Sequence, residues 1–142
     1  MKRLFLASLL AAVSLSTFAV CPPALSGKYS GTGTYTEQSV INNYPVLGYQ
    51  EYHVVSLSIS GGYMTVNKEY YAGTGTGQPA GEQSTGTAPI TFDKSTCTGR
   101  IGLGNDPMYF TVADSGNKIY VIHGKAPKDQ FLAAEKWELV KQ

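Results

Sequence analysis

From Gly27 onward the chain alternates. Tyr29, Gly31, Gly33 and Tyr35 fall on one face of an extended segment, and Ser30, Thr32, Thr34 and Thr36 fall on the other. That is the period-two pattern of a half-buried strand. The same pattern predicts strands over Gly27–Glu37, Gln50–Ser60, Tyr63–Tyr71, Gly86–Asp93, Cys97–Leu103, Met108–Ala113, Lys118–His123 and Glu135–Lys141. Gln130–Ala134 reads as a short helical turn before the last strand. Gly31 and Gly33 predict a sharp bend in the first strand, as at a barrel corner.

Two hairpins fix their own register. Gly61-Gly62 has the positive φ angles that a two-residue turn needs. It sets Ile59 opposite Met64, Leu57 opposite Val66 and His53 opposite Tyr70, leaving Ser56, Ser58, Thr65, Asn67 and Glu69 on the other face. A turn at Ser115-Gly116 sets Val112 opposite Ile119, Phe110 opposite Val121 and Met108 opposite His123. Opposed residues share a face, so each hairpin has one apolar face with a histidine at its end. A slip of one residue would destroy both patterns. Trp137 and Leu139 alternate in the last strand, and Trp137 is expected inside.

Eight antiparallel strands in about 120 residues predict an all-β, up-and-down barrel, with a two-sheet sandwich as the alternative. In the barrel, the tight turns at Gly61-Gly62, Asp93–Thr96 and Ser115-Gly116 fall at one end. The longer connections Gln38–Tyr49, Ala72–Thr85 and Gly124–Ala133 fall at the other. A barrel closed by tight turns and ringed by long loops has the layout of a ligand cup.

The segment before the strands changes where this barrel is expected. Met1-Lys2-Arg3 is a basic head, Leu4–Val13 is an apolar run, and Thr17-Phe18-Ala19 puts small residues at a cleavage site. Residues 1–19 read as a signal peptide, 20–142 as one domain, and the location as periplasmic or secreted. Val20 before Cys21 does not fit a lipoprotein signal. An oxidising compartment permits a Cys21–Cys97 disulfide, worth roughly 4–5 kcal/mol by loop entropy. Without Lys2 and Arg3, nine basic residues face ten acidic ones, a net charge of −1. Nothing in that balance attracts nucleic acid, and no second apolar run approaches a membrane span.

The layout resembles the calycin group, which includes lipocalins and avidins. Ser26-Gly27-Lys28-Tyr29 is similar to the Gly-x-Trp that opens the first lipocalin strand, with Tyr29 in the place of Trp. Phe92–Gly99 resembles a Cys-Thr-Gly turn of small exported β proteins. The resemblance implies a small apolar ligand in the cup. The register places His53, Tyr70, Met108, Phe110 and His123 along it, where His and Tyr would hydrogen-bond a polar head. Neither a cofactor nor a metal is expected, since the sequence holds no short His, Cys and carboxylate cluster. Of enzyme motifs, Gly-x-Ser-x-Gly and His-Glu-x-x-His are missing, and Ser115-Gly116-Asn117-Lys118 crosses a turn rather than a helix. Glu51 and His53 share a face and could act as an acid–base pair, the basis of an isomerase or cyclase alternative. Tyr109 and Tyr120, with Thr111 and Ile122, lie on the outer face, as do Tyr52, Tyr63 and Tyr71. This suggests a second alternative, a protein-binding module or inhibitor.

Overall fold

The structure, a computed structural model, describes residues 20–41, 44–74, 80–102, 104–105, 107–125 and 131–142. The expected signal peptide lies outside these, as do Gln130 and the centre of the Ala72–Thr85 connection. The fold is a closed, all-β, antiparallel up-and-down barrel of eight strands in sequence order, consistent with a calycin-like fold. The strands are β1 (Gly27–Ile41), β2 (Tyr44–Ser60), β3 (Tyr63–Thr74), β4 (Gln83–Asp93), β5 (Thr98–Ile101), β6 (Met108–Ala113), β7 (Lys118–Lys125) and β8 (Phe131–Lys141). β8 returns to pair with β1 from Tyr29↔Lys141 to Ser39↔Phe131 and closes the seam.

Both hairpin registers hold. β2 and β3 pair Ile59↔Met64, Leu57↔Val66 and His53↔Tyr70, with a bulge just beyond, between Tyr52 and His53. Gly61 and Gly62 take φ of 58° and 80° at the turn. β6 and β7 pair Val112↔Ile119 and Phe110↔Val121, and this ladder ends at Tyr109↔Ile122, one pair short of Met108 and His123. The second turn is larger than two residues. Asp114, Ser115 and Gly116 are all left-handed, and Asn117 N–H closes on Asp114 O at 3.0 Å. This bends the buried Gly116 back, so that its carbonyl accepts the Tyr29 hydroxyl at 2.9 Å.

Two expectations are corrected. Gln38–Tyr49 is not a loop: β1 and β2 run on as a ladder to Ile41↔Tyr44, past a bulge between Glu37 and Gln38. Phe131–Ala134 is strand rather than helical turn, because the extended β1 gives those residues backbone partners from Thr36 to Ser39.

The core is built on the inward face. It comprises Tyr29, Val55, Leu57, Ile59, Met64, Ile101, Phe110, Val112, Ile119, Val121, Trp137 and Leu139, with Leu25, Phe92 and Cys97 packed against it. Burial of these side chains at about 1.5–3 kcal/mol each is the main force holding the barrel. Three inward glycines make room for the large rings. A Cβ at Gly33 would meet the Trp137 ring at 2.6 Å, and one at Gly99 would collide with Phe110. A Cβ at Gly73 would come within 2.9 Å of Tyr70 Oη. At the tight-turn end Cys21 is bonded to Cys97, with Cα atoms 5.4 Å apart. Such bonds persist in oxidising compartments outside the cytoplasm. Among the described residues, no helix is long and apolar enough to cross a membrane.

Candidate functional site

The strand pairing leaves one wall of the barrel incomplete. β4 pairs with β3 from Gln83 to Pro89, but with β5 only from Ile90 to Asp93. β5 has four residues, so the β5–β6 hairpin covers only the lower part of this wall. Above it lies a cavity of about 310 Å³, lined on its apolar side by Met64, Val66, Ala88, Ile101, Met108 and Trp137. Gly86 borders it, and a Cβ added there would meet nothing within 4 Å.

A smaller, polar cavity of about 140 Å³ adjoins it, sharing Lys68 and Ser84. Its lining includes Glu51, His53, Tyr70 and Glu82. Alternation brings these side chains together. Glu51 and His53 continue the inward face of Val55 and Leu57, and Lys68 and Tyr70 continue that of Met64 and Val66. Glu135 stands two residues before Trp137 on the inward face of β8.

Three of the polar groups are buried, whereas Lys68 is half-buried and Glu82 exposed. Glu51, His53 and Glu135 are 8%, 6% and 7% exposed. Lys68 donates to Glu135 Oε1 at 2.8 Å, and the Trp137 indole N–H donates to the same oxygen at 2.8 Å. The Lys68 ammonium lies 5.8 Å from the Trp137 ring centre, within reach of a cation–π contact. His53 Nε2 is 3.2 Å from Glu51 Oε2, while His53 Nδ1 is buried without a partner. Burial, then the nearby Lys68 ammonium, pull the His53 pKa below its ordinary 6.5; the carboxylates of Glu51 and Glu135 pull the other way and do not prevail. A neutral ring that donates Nε2–H to Glu51 presents Nδ1 as an acceptor.

The five residues expected along the cup divide. His53 and Tyr70 stand edge to face at the polar end, ring centres 6.1 Å apart. Met108 lines the apolar cavity. His123 is part-buried opposite Glu135 across β7 and β8. Phe110 is buried in the lower core, away from both of these cavities, stacked on Phe92 at 6.2 Å and lying over Gly99. Lys68 and Glu135, which stand beside these residues, were not among the expected candidates. The signal was available, since the register that opposes His53 to Tyr70 also turns Lys68 inward, and Trp137 inward implies Glu135 inward.

Outside the barrel, Tyr109 and Ile122 are paired neighbours, 55% and 57% exposed, beside a hollow of about 570 Å³. Among the described residues no group of three His, Cys, Asp or Glu is placed to hold a metal. No protein-family model and no curated protein matches this chain.

Proposed function

We propose that this chain is an exported carrier. Its barrel binds a small, mostly apolar ligand whose polar end reaches Glu51, His53, Lys68 and Tyr70. The observation that carries this reading is the junction of the two cavities. Apolar side chains wall one, and in the other a buried imidazole nitrogen lacks a protein partner. A buried acceptor left unpaired costs about 1–3 kcal/mol, and a ligand donor offsets that cost. Together the cavities lie near the lower end of the usual 300–1,000 Å³ for small-molecule sites, which favours a small ligand. The apolar run of residues 4–13 and the Cys21–Cys97 bond support export to a periplasmic or secreted location.

Native mass spectrometry of the protein from its own source tests this reading. A bound mass that leaves on denaturation is expected. Gly86→Leu projects a side chain into the open cavity and is expected to abolish that mass while leaving the fold intact. Wild-type protein that carries no ligand, and takes up none when offered apolar small molecules, would overturn it.

The second reading is a protein-binding module, supported by Tyr109 and Ile122 side by side on the outer wall. It predicts that Tyr109→Ala releases a partner without changing ligand content.

A further inference from the structure

The charges around the polar cavity point to the chemistry of the ligand's head. Resting on the carrier reading, we infer that the head is a protonated amine on an apolar body.

The Lys68 ammonium is matched by Glu135 at 2.8 Å, so that pair is neutral. Glu51 and Glu82 remain on the lining of the same cavity, which among the described residues has no second lysine or arginine. The remaining base there is His53, whose burial disfavours the charged ring. It gives Glu51 a hydrogen bond and no balancing charge. The cavity therefore has one buried carboxylate, Glu51, a second at its exposed rim, Glu82, and one unpartnered imidazole acceptor. A carboxylate or phosphate head would face like charges here. An alcohol could supply one donor and no charge. An ammonium supplies three donors and a positive charge, and charge-assisted bonds are the stronger kind. The rings of Tyr70 and Trp137 border the two cavities and favour a cation over their faces. From that position a short apolar body extends toward Met64, Val66 and Met108.

A matched set of probes tests this by titration calorimetry on the purified, disulfide-bonded protein. Phenethylamine, phenethyl alcohol and hydrocinnamate share one body and differ in the head. The amine is expected to bind about tenfold tighter than the alcohol, and the carboxylate to bind weakest. Glu51→Gln keeps the shape and removes the charge, so it should erase the preference for amine over alcohol. Glu82→Gln, at an exposed position, is the fallback should Glu51→Gln fail to fold; it should reduce the preference by about threefold. Alcohol or carboxylate binding as tightly as the amine would overturn the amine inference and leave the carrier reading standing. Absence of binding by all three, in a protein that also carries no native ligand, would overturn both.

Discussion

The two ends of this barrel solve opposite problems with the same alternation of side chains. At the tight-turn end the inward face is Tyr29, Ile59, Met64, Val112, Ile119 and Leu139, all buried. The disulfide ties the incoming chain to the turn before β5, and Leu25 packs beneath. At the other end the inward face changes to Glu51, His53, Lys68, Tyr70 and Glu135, and the wall opens between β4 and the short β5–β6 hairpin. Buried charges there contribute little net stability, because their attraction only offsets the cost of leaving water. The comparison teaches that the apolar end stabilises the fold, which leaves the polar end free to carry groups that stability alone would not select.

The largest test of this division is Cys21→Ser. Freeing the closed loop should lower unfolding free energy by about 4 kcal/mol, measured by urea denaturation, with ligand binding retained in the fraction that stays folded. A loss below about 1 kcal/mol would mean that the apolar end holds without its tie.

Next comes Leu139→Ala, in the solid half, where the residue is fully buried. It should cost about 3 kcal/mol and leave ligand affinity unchanged. A large fall in affinity with little loss of stability would show that the two ends are not separate.

The smallest effect belongs to His53. Its folded pKa lies below 6.5, so the unfolded chain binds more protons than the folded one as pH falls below 6.5. Its contribution is therefore complete above that pH and is lost on acidification. In His53→Asn the decline of the urea midpoint below pH 6.5 should become shallower. An unchanged slope would remove His53 from the acid response.

The sequence was most informative where apolar and polar residues contrast sharply. Ile59, Leu57, Met64 and Val66 admit one register about Gly61-Gly62, and that register also turned His53, Tyr70 and Lys68 inward. It was least informative over Gln38–Tyr49, where polar and apolar residues do not alternate cleanly. The bulge between Glu37 and Gln38 shifts the pattern there, and pairing across the β1–β8 seam, remote in sequence, decides the outcome for Phe131–Ala134. The lateral opening was not readable from periodicity. It arises because β5 ends at Ile101 while β4 extends well above its contact with β5.

The seam also has a consequence for how the barrel is made. β1 is synthesised before the other seven strands, yet one of its two neighbours is β8, at Tyr29↔Lys141 through Ser39↔Phe131. Until residues 131–141 have emerged, that edge of β1 has no partner, and an exposed strand edge can pair with another chain. Contacts so distant along the chain also form slowly. During synthesis the interval before β8 arrives is therefore the chain's period of greatest exposure to aggregation, and factors that bind unpaired strands would act on it then.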